Sequence, residues 1–220
     1  EFYGYEFYVT PDVLIPKPDT ELLVELACNA IREKKLEPLF MADICTGSGC
    51  VAISVLKTYF WDIKNSSFNC YCTDISASAL AVACKNAEKL LPNVTSIHFL
   101  QGDLCQPLAS HTCNLIVSNP PYVPAKLTDE LLQDGRSEPR IALNGDEGSS
   151  TDGMAIIRRL VPQAYEALNP QGVFLIETGE YNADATAKLF SQVGFCQIQT
   201  FSDLAGQKRV TCGIKGTKQE

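Results

Sequence analysis

The sequence predicts an α/β fold built on a seven-stranded, mostly parallel sheet that ends in an antiparallel hairpin. Three observations predict it. Five short apolar runs, at 40–44, 69–74, 96–101, 113–117 and 173–178, are separated by stretches with helical stripes or helix caps. Two further runs, 195–201 and 208–214, have too few residues between them for a crossover, so they pair antiparallel. The first run leads into Gly47-x-Gly49 and an apolar helix, a strand–turn–helix unit suited to holding a ligand.

Residues 1–18 form an extended aromatic lead-in, kept out of a helix at its end by Pro16 and Pro18. It reads either as a strand pair covering the core edge or as a wall of a substrate pocket. A helix over 19–35 comes next, capped by Asp19 or Thr20, with Leu22, Leu23, Leu26, Ala27, Ala30 and Ile31 on one stripe. Residues 1–36 are thus expected to pack as a lead-in and first helix on a domain of residues 37–220. After the strand at 40–44 comes the glycine turn and a helix over 51–60. The strand at 69–74 ends in Asp74, and Ser76 caps a helix that runs to about Leu90. The strand at 96–101 ends in Gly102-Asp103, and the run at 113–117 is halted by Pro120 and Pro121. Residues 123–153 are polar and read as a long loop, a lid or a partner-docking element in which Arg136 and Arg140 suit an acidic partner. A helix over 154–168 stops at Asn169-Pro170-Gln171-Gly172, and one over 183–193 stops at Gly194.

At 220 residues the chain can bury one full core, and its 45% apolar content is that of an ordinary globular domain. No apolar run is long enough to span a bilayer and no signal-peptide pattern opens the chain, so no membrane partner is expected. The net charge of −8 argues against a nucleic-acid backbone as the direct partner. Ten cysteines are scattered with no Cys-x-x-Cys pair, which fits buried thiols in a reducing, cytoplasmic setting. His98 and His111 are the two histidines and neither has ligand spacing, so no metal site is expected. A monomer is the expected state.

The chemistry centres on Ser118-Asn119-Pro120-Pro121-Tyr122 at a strand's C-terminal end. A planar NH2 group has two donor hydrogens; the Asn119 side-chain oxygen can accept one and the Pro120 carbonyl the other, with Pro121 and Tyr122 packing beside it. An amide nitrogen is a poor nucleophile, and holding both hydrogens aims it at an electrophile. The competing reading is a plain strand-ending turn. Cys45-Thr46-Gly47-Ser48-Gly49 presents free helix N–H groups to a cofactor, but Gly47-x-Gly49-x-x-Ala52 also fits a nicotinamide dinucleotide, so the turn alone leaves the cofactor open. Asp74 is placed to accept from ribose hydroxyls and Asp103 from an adenine amine, with Leu104 against the ring.

Asp43-Ile44-Cys45-Thr46-Gly47-Ser48-Gly49, Asp74-Ile75-Ser76, Gly102-Asp103-Leu104 and Asn119-Pro120-Pro121-Tyr122 resemble the successive motifs of class I, Rossmann-like S-adenosylmethionine-dependent amino-methyltransferases. Leu14-Ile15-Pro16-Lys17-Pro18-Asp19-Thr20-Glu21 is similar to the signature of the protein-(glutamine-N5) methyltransferases. Glu138-Pro139-Arg140-Ile141-Ala142-Leu143-Asn144-Gly145 and Gln207-Lys208-Arg209-Val210 resemble the branch that acts on peptide chain release factors. The resemblance implies methyl transfer from S-adenosylmethionine, leaving S-adenosylhomocysteine, to the glutamine of a Gly-Gly-Gln motif. It implies a cofactor site of residues 45–49, Asp74, Asp103, Leu104 and Asn119, and Asn119, Pro120 and Tyr122 as the catalytic set. A ribosomal-protein glutamine or adenine in DNA remains the alternative substrate. The family's usual N-terminal helical domain is absent from this chain. Cys45 stands where the family has glycine, and Lys17 and Asp19 where it has Arg and Glu.

Overall fold

The computed structural model describes residues 1–62, 67–108, 113–133, 135 and 137–217. His111 and Arg136 lie outside them. The strands are β1 (Leu39–Ile44), β2 (Phe68–Asp74), β3 (Ile97–Gln101), β4 (Cys113–Ser118), β5 (Leu168–Glu177), β6 (Phe195–Ser202) and β7 (Lys208–Lys215). They form one sheet in the order β3-β2-β1-β4-β5-β7-β6, parallel from β3 to β5, with β7 antiparallel to both neighbours. The predicted sheet and its terminal hairpin are therefore present.

The helices are α1 (Glu21–Lys34), α2 (Cys50–Asp62), α3 (Ala77–Leu90), α4 (Ala125–Gln133), α5 (Ala155–Ala167) and α6 (Glu180–Val193). The central strands are apolar on both faces, as a sheet covered on both sides requires. Met41, Leu115, Val117 and Leu175 face the layer of Leu23, Ile53 and Leu56; Ala42, Ile44, Ile116 and Phe174 face that of Leu160, Val161 and Phe190. Burying a side chain of this size is worth about 1.5–3 kcal/mol, so these two layers supply the drive that holds the strand tips in register.

Several boundaries differ from the sequence reading, for physical reasons. Thr20 occupies the N-cap position of α1, but its side chain makes no capping bond because it is engaged elsewhere. Strand β5 begins at Leu168 rather than Val173: Leu168 pairs with Cys113, and the turn-forming residues 169–172 are absorbed by a register shift in the strand. Residues 123–153 are not one open loop. They contain α4 and a 3₁₀ turn, Arg140–Ala142, and Val123 and Gly145 exchange backbone hydrogen bonds with residues 143 and 123 at 2.9 Å. The lead-in forms an isolated bridge between Phe2 and Tyr5 rather than a strand pair, and its later residues, among them Val13 and Pro16, line a cavity.

Candidate active site

Parallel strands bring the C-terminal ends of β1, β2, β3 and β4 to one edge, and the chain reverses its direction of travel across the sheet between β1 and β4. Open α/β sheets bind ligands at such a point. A cavity of about 480 Å³ opens there. Of the residues predicted from sequence, Cys45, Thr46, Gly47, Ser48, Asp74, Asp103, Leu104, Asn119 and Pro121 line it. Gly49, Pro120 and Tyr122 are not on its wall.

The glycine turn is held by its own backbone. Thr46 N–H donates to the Thr73 carbonyl at 3.0 Å and Gly49 N–H to the Thr46 carbonyl at 2.8 Å. Gly47 has φ +53°, and a Cβ there would meet no atom within 4 Å, so the space in front of it is open. Gly49 has φ +78° and a packing duty: a Cβ would lie 3.0 Å from Ile53 and 3.2 Å from Ala83. Cys45 also has positive φ, 59°, a conformation disfavoured for a residue with a Cβ.

Asp74 accepts from Gly47 N–H through Oδ2 and from Ser76 N–H through Oδ1, both at 2.9 Å. The capping-turn reading of Asp74 is thus realised, and each oxygen keeps a further lone pair for a ligand hydroxyl. Burial raises its pKa, offset in part by those amide bonds. Asp103 forms an ion pair with Arg159 of α5, which also reaches Glu147 at 2.7 Å.

Two buried carboxylates escaped the sequence reading. Asp43, only 1% exposed, accepts from Thr46 Oγ1 at 2.7 Å and Ala52 N–H at 3.2 Å through Oδ2; its Oδ1 has no partner and the residue lines the cavity. Burial, opposed by those two bonds, pushes its pKa up to about 7. Glu177, 2% exposed, ends β5 beside Tyr122, whose hydroxyl lies 3.5 Å from Oε1. Burial also pushes Glu177 up to about 7, against hydrogen bonding from Thr20 and the charge of Arg209. The available signal was the same for both: an acid inside or ending an otherwise apolar strand.

Asn119 is fixed from the side. Its Nδ2 donates to Thr20 Oγ1 at 3.1 Å, while the tip of β4 is tied to β1 by Ser118 Oγ donating to the Ile44 carbonyl at 2.6 Å. Behind the tetrapeptide, Gly145 and Gly153 leave no room for a side chain: a Cβ on Gly145 would lie 2.7 Å from Tyr122 Cα, and one on Gly153 2.1 Å from the Tyr122 carbonyl oxygen. Asp146 holds that support together by accepting from Ala125 and Gly153 N–H at 2.8 and 2.7 Å. The Tyr122 ring packs on the second core layer, toward Glu177, rather than on the cavity wall.

A family model, the methyltransferase small domain, matches residues 19–135. The ribosomal protein L11 methylase of Lactobacillus delbrueckii subsp. bulgaricus has the same fold, with a TM-score of 0.63 over 93% of this chain and 82% of that one at 19% identity. The fold and the site define a methyltransferase. The release factor glutamine methyltransferase of Geobacter sulfurreducens is 38% identical over 217 residues, covering 98% of this chain and 70% of that protein. That of Moorella thermoacetica is 39% identical over 210 residues, covering 95% and 70%. The chain belongs to the release factor glutamine methyltransferase family, whose methyl donor is S-adenosylmethionine.

Proposed function

We propose that this chain methylates the side-chain amide nitrogen of the glutamine in the Gly-Gly-Gln motif of peptide chain release factors, using S-adenosylmethionine. The observation that carries the reading is that Asn119, with Nδ2 already committed to Thr20, shares one cavity with Gly47 and Asp74.

The residues present suit the cofactor. The open space at Gly47 admits close backbone approach, Asp74 retains acceptor capacity for ribose hydroxyls, and the unpartnered Asp43 Oδ1 suits an ammonium donor. Leu104 and Ile75 offer apolar surface to a purine, and Asp103, though paired with Arg159, retains lone pairs for an exocyclic amine. S-adenosylmethionine, when bound, supplies a methyl group on a sulfonium centre.

The chain's own contribution is orientation. The Asn119 side-chain oxygen, on the cavity wall, accepts a hydrogen of the glutamine amide; the Pro120 carbonyl, expected from sequence to accept the second, is not on that wall. That clamp fixes the nitrogen's approach and favours the positive charge that develops on it. A methylated amide cation is strongly acidic and loses its proton without a dedicated base. Tyr122 is no such base, since burial and the neighbouring Glu177 raise its pKa and keep the phenol protonated.

The test is to incubate the chain with labelled S-adenosylmethionine and, separately, a release factor and duplex DNA, then locate the methyl group by mass spectrometry. Label on the Gly-Gly-Gln glutamine supports the reading. Label in DNA alone, or none in the release factor, rejects it.

A further inference from the structure

We propose that Asn86 is a positioning residue for the cofactor: it ties the lead-in to the glycine turn, so that S-adenosylmethionine is held firmly only while both are in place. The inference rests on the cofactor reading above and is independent of which amide is methylated. The glycine turn folds locally, but part of the cavity around it comes from far away in the chain. Val13, Leu14 and Pro16 of the lead-in line the same cavity as Gly47 and Asp74. The lead-in belongs to no strand of the sheet, so other contacts must hold these two walls together.

Helix α3 supplies them. Asn86, fully buried on α3, accepts from Tyr8 N–H through Oδ1 at 2.7 Å, and its Nδ2 donates to the Tyr8 carbonyl and to the Ser48 carbonyl, each at 2.9 Å. It pairs with Tyr8 as a neighbouring strand would and gives its remaining hydrogen to the turn. The Ser48 carbonyl needs that donor, because Ala52 N–H, its partner in a regular helix, goes to Asp43 Oδ2 at 3.2 Å. Helix α3 also holds Tyr8 through Lys85, whose Nζ lies 3.5 Å from the ring centroid. Further along the lead-in, Val13 is buried against Ala79 and Val82 of the same helix. The turn meets α3 a second time at Ala83, 3.2 Å from where a Cβ on Gly49 would lie.

A cofactor that needs the turn and the lead-in wall together binds the joined state better than an opened one. By reciprocity, its binding strengthens the joint. Tyr8 reports on this, because it is not among the residues that line the cavity. Protection of the Tyr8 amide by a ligand in the cavity has to pass through the joint rather than through direct contact. Asn86 and Lys85 are also off the cavity wall, so substituting them removes no ligand contact. A purely structural Asn86 would hold the lead-in equally well with and without ligand.

The experiment measures S-adenosylhomocysteine affinity by calorimetry and hydrogen exchange of the Tyr8 amide by NMR, with and without that ligand, in the wild type, Asn86→Asp and Lys85→Ala. Asn86→Asp keeps the shape and the acceptor but loses the amide donors. It is expected to weaken ligand binding about tenfold, the scale of an unsatisfied buried hydrogen-bonding group. Lys85→Ala, an exposed change that removes only the cation–ring contact, weakens it by about two- to fivefold. In the wild type, saturating ligand slows Tyr8 exchange more than it slows the amides of β7; in Asn86→Asp that extra slowing is lost. Lys85→Ala and the wild-type exchange decide the question even if Asn86→Asp does not fold. If the wild type binds the ligand with no extra slowing at Tyr8, or if both variants bind it as tightly as the wild type, Asn86 is structural only and the cofactor site stands. A wild type that binds no S-adenosylhomocysteine rejects the cofactor reading and the joint with it.

Discussion

The two halves of the cavity are built by different means. The half at β1–β3 is made of short contiguous segments whose backbone would hold the proposed cofactor: residues 45–49 fold on themselves, Asp74 ties that turn to Ser76, and Ser76 caps α3. The half at β4–β5 is made of side chains drawn from distant segments: Asn119, Thr20 99 residues earlier, and Glu177 55 residues beyond Tyr122. Local turns specify the first half; the second exists only once the whole sheet has formed. The proposed cofactor cradle is written in a short motif, whereas the proposed amide site needs the tertiary fold.

The largest test of that contrast is Gly153→Ala. Its new Cβ would strike the Tyr122 carbonyl at positive φ, and such overpacking against backbone is expected to cost about 3 kcal/mol or more. Thermal unfolding should show a lowered midpoint, and the surviving folded protein should lose methylation more than cofactor binding. Equal loss of both would merge the two halves into one unit.

Buried acids give the next effect. Asp43 and Glu177 titrate near 7 in the folded chain, against ordinary values of 3.8 and 4.5. Between those limits the folded state binds more protons than the unfolded, so stability falls as pH rises from about 4 to 7 and levels off above. At about 1.4 kcal/mol per unit, Asp43 contributes up to about 4 kcal/mol to that fall and Glu177 up to about 3 kcal/mol. Denaturant unfolding at several pH values should show the slope, and Glu177→Gln should flatten its share; an unchanged slope would mean the acid is not strained by burial.

Asp74→Ala belongs to the other half. It removes the acceptor for two backbone N–H groups and the proposed ribose contacts, and calorimetry should show cofactor affinity reduced about 10- to 100-fold. The smallest change is Cys45→Gly. Relief of the positive φ is expected to stabilise the fold by up to about 1 kcal/mol, read as a modest rise in melting temperature, while Cys45→Ala should give no gain.

The same division governs how much could be read from sequence. The seven strands, the glycine turn and Asp74 were legible because each is a contiguous pattern of burial, breakers and caps. Thr20 read as a helix cap, since a threonine before an acidic first turn normally is one; its hydroxyl instead accepts from Asn119, far away in the chain. Glu177 read as the end of a strand because nothing local marks its partners. Helix α4 was missed because it is only nine residues long within a polar stretch, buries Thr128 and leaves Leu127 exposed. The 138–145 segment was legible as a motif but not as the support behind Tyr122, which depends on Gly145 and Gly153 approaching its backbone.

The most direct measurement is the paired effect of Asn119→Ala on kcat for release-factor methylation and on S-adenosylmethionine affinity. A clamp on the glutamine amide predicts a rate loss of about 100- to 1,000-fold, the scale of one preorganised catalytic hydrogen bond, with cofactor affinity nearly unchanged. A variant that methylates at the wild-type rate, or whose rate falls only as far as its cofactor affinity does, would contradict it.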